Sequence, residues 1–500
     1  MGEKKRENPP LLLIRAWDNT RHHLEKRYRR VHFRPFRSDD VRPATGLGVG
    51  LEQYDYYEAD LADKVIQSNL ESLGAILTIL MSNSRTVIVC GGGIVGLCVA
   101  HYLAREGFAV TVIERNAEGA DSCAHGSAGY VSPSHVIPVS APGMVWQGLK
   151  WMLSSRSPFY IKPRLDLELL RWGWLFARSC SVAHLRRAAP VLRDLCLAGR
   201  QLFVELAEQT GNAFELRTEG LLNLCKTQEG LEHEADTLAR VANDVGIEAR
   251  MLGAEETAAM EPNVRLDAAG AIYFPIDAHL TPGRLMATLI ALLTRQGVKL
   301  LWNTKLLGWR TEAGRVSGVS TTAGDLVADE YVLATGSWAA QTVRSLRLRL
   351  PMQPGKGYSL TIKGPRFQFK RPLILTERRV AVTPMNDQLR FGGTMELSGH
   401  SSSALPERIE QIIAAAQAYF PDFREDDFTN IKPWFGYRPM SPDGLPYIGR
   451  FAAFSNLTTA CGHAMLGVTL APITGLLVTE TLSGRQPSVN MAMLNPDRFV

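Results

Sequence analysis

Four apolar residues, Val87 to Cys90, lead into Gly91-Gly-Gly-Ile-Val-Gly96, and an apolar stretch then continues from Leu97 to Arg105. A second apolar run, Phe108 to Ile113, follows Gly107 and ends on Glu114, eighteen residues after Gly96. This pattern predicts a buried parallel strand, a tight turn, a helix and a second strand with an acid at its carboxyl end. Gly91, Gly93 and Gly96 match G-x-G-x-x-G, which permits a tight turn, close approach of backbone to a diphosphate, and close packing of helix on strand. The helix start offers free N–H groups to that diphosphate, and Glu114 stands where a ribose with free hydroxyls is held.

Further along, Ser122 to Pro133 is small, polar and glycine-bearing, and lies near the carboxyl edge of the sheet. Aromatic residues at helical spacing between 140 and 180 (Trp146, Trp151, Trp172, Trp174, Phe176) predict helices packed on a second domain, or a surface that meets a membrane. Helices are expected over 190–211, 229–245 and 282–296, and strands over 220–225, 270–274 and 298–302. Two strands near Gly318 and Gly324 precede Tyr331-Val-Leu-Ala-Thr-Gly336, a buried strand returning to the first domain. Alternation between 350 and 430 predicts an antiparallel sheet. A strand at 457–460 then leads through Gly462-His-Ala-Met-Leu-Gly467 into a helix ending near Gly484.

Composition adds limits. Of 500 residues, 45% are hydrophobic and 21% charged, as in an ordinary enzyme of two or more domains. A net charge of +5, without a basic stripe, gives no argument for nucleic acid. Seven scattered cysteines without a C-x-x-C pair predict small buried hydrophobes in a reducing, cytoplasmic setting rather than disulfides or a metal site. No apolar run is long enough to span a bilayer. The first eighty residues differ: bases dominate to Arg42, acids dominate from Glu52 to Glu71, and 60–80 has the pattern of a helix. Residues 1–80 are expected to be a weakly ordered extension or the product of an upstream start, with Met81 as the natural beginning.

From Arg85 to Phe499 the chain resembles the flavin-dependent D-amino-acid oxidase superfamily, and within it the bacterial D-amino-acid dehydrogenase small subunits. The resemblance rests on the glycine turn with Glu114, Ser127-Ala-Gly-Tyr-Val-Ser-Pro133, Ala334-Thr-Gly336, Gly355-Lys-Gly-Tyr-Ser-Leu360, Gly436-Tyr-Arg-Pro-Met-Ser-Pro-Asp-Gly444 and Gly462-His463, all in order. It implies an α/β fold with a discontinuous Rossmann-like FAD domain (85–140, 275–345 and 433–500). A smaller, mixed or antiparallel sheet domain (141–274 and 346–432) would close over the substrate. FAD, held without a covalent bond, would touch Gly91, Gly92, Gly93, Ile94, Val95, Gly96, Glu114, Arg115, Ser127, Ala128, Gly129, Gly336, Gly462, Gly467, Val468 and Thr469.

The resemblance assigns Arg438 to the substrate carboxylate, a role suited to the bidentate fork of a guanidinium. Tyr358 would either hydrogen-bond that carboxylate and shield the pocket, or be a core tyrosine of the sheet. His463 would add to the positive field at the flavin N1–C2=O edge, or pack beside the ring. No general base stands out. The implied activity is oxidation of D-amino acids, including D-proline or hydroxyproline isomers, to imino acids and then 2-oxo acids, with a quinone or oxygen as acceptor and a peripheral membrane contact. Glycine, sarcosine and 2-hydroxy acids are alternative substrates. An NAD-dependent dehydrogenase and a noncatalytic binding module are the competing classes, the last leaving Arg438 without a purpose.

Overall fold

The computed structural model describes residues 84–120, 122–152, 159–162, 164–402 and 404–500. The expectations for residues 1–80, including the 60–80 helix, lie outside the described residues. Within Arg85–Val500 two large sheets carry the architecture.

The first is built around the glycine turn. Thr86–Cys90 is fully buried after its first residue and pairs in parallel with Ala109–Ile113 on one side and Glu330–Leu333 on the other. Lys299–Leu301 and Leu457–Cys461 extend the parallel sheet at its two flanks, and Tyr447–Arg450 closes one edge antiparallel. Buried on both faces, these strands read as continuous apolar runs. Helix Ile94–Arg105 packs against helices Pro282–Arg295 and Gly467–Leu482, so strands far apart in sequence share one core.

The second sheet is mixed rather than antiparallel. Its order is Trp434–Met440, Gln353–Lys363, Gln388–Leu397, Val380–Met385, Leu373–Leu375, Leu221–Cys225, Gly270–Phe274 and Arg250–Gly253. Leu373–Leu375 runs parallel to Leu221–Cys225, and Phe159–Ile161 joins Gln388–Leu397 in parallel. This sheet has more strands than the dinucleotide sheet. One expectation changes here. Trp434–Met440, placed by sequence in the FAD domain, is hydrogen-bonded along its whole length to Gln353–Lys363; the chain rejoins the first sheet only at Tyr447.

Register separates the two faces of this sheet, because side chains alternate along a strand. Tyr358, Gly393, Val380, Leu375 and Leu224 lie in one row across it, within a core roofed by helix Pro406–Tyr419. The adjacent row, Trp434, Gly392, Ala381, Ile374 and Asn223, lines the large cavity on the other face. The aromatic residues of 140–180 divide in the same way: Trp172 is buried and stacked on Phe176, but Trp146 and Trp174 are exposed.

Phe391 is sealed on the core face, with edge contacts to Phe420, Phe423 and Phe428. Phe391→Ala should destabilise the protein by about 3–5 kcal/mol, whereas Trp174→Ala should stay within about 0.5 kcal/mol. Urea unfolding of both variants checks this; equal losses would contradict the assignment of faces.

Candidate active site

The cavity between the glycine turn and the second sheet has a volume of about 2510 Å³, above the roughly 300–1,000 Å³ usual for one small-molecule site. At one end Gly91 adopts φ +116°, and a Cβ there would overlap the Ala334 carbonyl; a Cβ on Gly96 would overlap the Gly91 carbonyl. Those two glycines are needed by the chain itself. Gly93 is different: a Cβ on it meets nothing, and it fronts the cavity with Gly92, Ile94 and Val95. The helix start behind Gly93 has no side-chain cap and no acid in its first turn, so its N–H groups remain available to an anion. Glu114 accepts Gly92 N–H at 2.8 Å and Asn116 N–H at 3.0 Å, which fixes its carboxylate at the cavity wall. Arg115 also lines the cavity, its guanidinium 3.7 Å from the centre of the Trp338 ring.

The middle of the cavity is walled by Ser127, Ala128 and Gly129, by Gly336, and by Gly467, Val468 and Thr469 at the uncapped start of helix Gly467–Leu482. Arg390 holds the first of these segments, donating to His125 O at 2.6 Å and Ser127 O at 2.7 Å. Thr469 Oγ1 donates to Tyr130 O at 3.0 Å, tying that loop to the helix start. Gly96 and Gly462 act behind the wall: Gly462, at φ +78°, turns the chain after Leu457–Cys461 so that His463 reaches it.

At the substrate end, Arg438 projects over Gly357, where any Cβ would overlap the guanidinium. Its Nη1 is buried without a hydrogen-bond partner. Burial holds its pKa below the usual arginine value, with Cys123 as the opposing electrostatic influence. A desolvated, unpaired cation needs an anion to compensate it. His463 lines the cavity, shares a 2.9 Å hydrogen bond between Nε2 and Thr474 Oγ1, and is pushed down to about 3 by burial, so it is neutral and adds no formal charge. Tyr358 is absent from the lining. The sheet register turns its ring toward Phe435 and the core, which corrects its assignment to the substrate and leaves the core-tyrosine alternative.

The lining thus offers two anion-receptive helix starts, a fixed carboxylate and an unpaired cation within one space, a donor set that fits FAD with a carboxylate-bearing substrate beside it. A family model described as FAD dependent oxidoreductase matches residues 86–481. The chain belongs to this FAD-dependent oxidoreductase family. Similar curated proteins include the D-amino acid dehydrogenase of Granulibacter bethesdensis, 32% identical over 419 residues (83% of this chain, 99% of the relative). Another is the D-amino acid dehydrogenase of Bradyrhizobium diazoefficiens, 33% identical over 422 residues (83% and 98%). Glycine oxidase from Geobacillus kaustophilus shares the fold, with a TM-score of 0.66 at 22% identity, covering 83% of this chain and all of that one. As an FAD-dependent oxidoreductase, the protein takes FAD as its cofactor. NAD, the competing cofactor, is set aside.

Sequence reasoning missed Trp434, whose ring fills the space beside Gly126 and Gly436, and it missed Arg390. Both act through contacts hundreds of residues away in sequence, and no local motif marks them.

Gly93→Val should fold with near wild-type stability yet purify without flavin, because only the ligand needs that space. Gly96→Val should instead lose stability, since backbone blocks it. Thermal unfolding and flavin content, measured together, separate the two; a Gly93→Val protein with stoichiometric FAD would contradict the placement.

Proposed function

We propose that this flavoenzyme oxidises the Cα–N bond of D-amino acids, giving an imino acid that water hydrolyses to a 2-oxo acid and ammonia. The observation that carries this reading is Arg438, a buried guanidinium with an unpartnered Nη1 in the cavity that holds the FAD-binding turn. The D-amino acid dehydrogenase relatives support the same substrate class. Bound FAD supplies the two-electron acceptor. The chain supplies position: Arg438 takes the carboxylate through its planar fork, and Trp434 and Met440 wall the adjoining space. The start of helix Gly467–Leu482 offers N–H groups where negative charge collects on flavin reduction.

Arg438→Met should retain FAD and fold but weaken D-amino-acid binding by about 2–5 kcal/mol, roughly one and a half to three and a half decades. Arg438→Lys should restore only part of this, since a point charge cannot form the paired hydrogen bonds. The decisive comparison is flavin reduction by the acid and by its decarboxylated amine; unchanged preference for the acid in Arg438→Met would remove Arg438 from the site.

For the acceptor, the exposed side of helix Leu167–Ser179 favours a membrane quinone over oxygen. Leu167 (84% exposed), Leu170 (63%) and Trp174 (57%) form a stripe with Arg171 and Arg178, and Trp146 stands exposed on the preceding helix. Aromatic and basic residues together suit an anionic lipid surface. No helix among the described residues is long and apolar enough to cross a membrane, so the contact is peripheral. The protein should sediment with anionic vesicles at low salt, and Leu170→Glu/Trp174→Glu should not. Equal sedimentation of both, or none of either, would count against this surface.

A further inference from the structure

Asp277 is completely buried, and both carboxylate oxygens are held by Ser134: Oδ1 accepts the Ser134 N–H at 2.9 Å and Oδ2 accepts the Ser134 O–H at 2.5 Å. The next residue, His135, fronts the active-site cavity, and its Nδ1 lies 3.3 Å from Ser134 Oγ. Because the serine proton already points at Asp277, Ser134 Oγ faces the imidazole only as an acceptor. Nδ1 must then carry the ring hydrogen, which leaves the lone pair on Nε2. The ring's hydrogen bond to Ser134 is made through Nδ1, on a residue that lines the cavity. The same loop is clamped to the cofactor side of the cavity, since Ser132 N–H donates to Thr469 Oγ1 at 3.2 Å at the start of helix Gly467–Leu482. No short sequence motif reveals this chain of contacts: 142 residues (277 − 135) separate its ends.

We propose that His135 is the base that takes the substrate ammonium proton, with Ser134 and Asp277 as positioning residues that hold its tautomer. This rests on the amino-acid reading above. An amino acid enters mainly as its ammonium form, whereas loss of the Cα–H electron pair to the flavin requires a free nitrogen lone pair. One N–H bond of the ammonium breaks, its proton passes to Nε2, and the electron pair stays on nitrogen. The resulting imidazolium keeps its Nδ1–H on Ser134, whose O–H rests on the Asp277 carboxylate, so the transient cation meets a buried anion across one hydroxyl. The proton leaves to water once the product has gone.

Ionisation of the resting groups sets the direction of the pH dependence. Burial disfavours the imidazolium form of His135, so the resting ring is neutral, and the Asp277 carboxylate across Ser134 has to offset that burial when the ring takes a proton. Burial pushes Asp277 up to about 7, opposed mainly by the Ser134 hydrogen bonds and more weakly by the Ser132 hydroxyl and the Arg200 cation. Tyr130 and Cys196, both protonated, also face Asp277. The relay is therefore complete above about pH 7 and is lost as Asp277 takes a proton below it.

The test is anaerobic stopped-flow reduction of the holoenzyme by D-alanine across pH, in wild type, His135→Gln and Ser134→Ala. Wild-type reduction should fall as pH drops through about 7. His135→Gln should reduce about 10²–10⁴-fold more slowly near neutral pH, with the loss in the rate constant rather than in binding. That deficit should close as pH passes the substrate's own ammonium pKa, or on addition of imidazole. Ser134→Ala should lose the limb near pH 7. A structural role would instead give a deficit constant in pH and deaf to imidazole, and that result, like a wild-type rate in His135→Gln, overturns the proposal. Nitrogen NMR of the resting holoenzyme gives a readout free of turnover: Nδ1–H in wild type, and a mixed or Nε2–H ring in Ser134→Ala. An Nε2–H ring in wild type also overturns it. A wild-type flavin that no D-, L- or imino acid reduces would refute the amino-acid reading, while the NMR result would still judge the relay.

Discussion

Two backbone contacts that only glycine allows hold the architecture together. Gly91 rests on the Ala334 carbonyl, and Gly96 rests on Gly91. Through them the strand Thr86–Cys90, the helix behind it and the distant strand Glu330–Leu333 close to contact distance, and the unpaired N–H groups of the helix turn toward one space. Glu114 then fixes the turn from the neighbouring strand by taking the Gly92 N–H. Everything that meets FAD is arranged around that closure. A side chain at either glycine would push apart elements that all share one core.

The substrate side rests on a different constraint, the two-residue period of a sheet. One face of the mixed sheet is core, the other is cavity floor, and a shift of a single residue exchanges them. Gly355, Gly357, Gly436 and Arg438 fall on one face of adjacent strands, where the missing side chain of Gly357 makes room for the Arg438 guanidinium and those of Gly355 and Gly436 make room for Met440 and Trp434. Tyr358 falls on the core side for the same reason. The site is thus a meeting of a turn that attracts an anionic cofactor and a cation that lacks a partner.

What the sequence made legible follows this division. The dinucleotide unit was readable because strand, turn, helix and acid lie within one short stretch, where spacing alone dictates geometry. Arg438 was singled out through its neighbours in Gly-Tyr-Arg-Pro, and it lines the cavity. The side of Tyr358 was not, because it depends on pairing with strands that begin more than twenty residues away and on an irregularity in register near Thr394. Residues 434–440 were grouped with the FAD domain rather than with the second sheet, because a short segment carries no mark of its strand partner. Helical spacing of tryptophans could not say which face is buried, and Trp146 and Trp174 lie largely exposed. Asp277, which clamps the Ser134–His135 loop, and Arg390, which holds the Ser127 loop, act entirely through long-range contacts.

The most direct measurement is an anaerobic titration of the purified flavoprotein with paired D- and L-amino acids, followed by flavin absorbance. The account predicts stoichiometric bleaching by D-enantiomers, with 2-oxo acid and ammonia recovered. Bleaching by L-enantiomers alone, or by 2-hydroxy acids in preference to any amino acid, would contradict it.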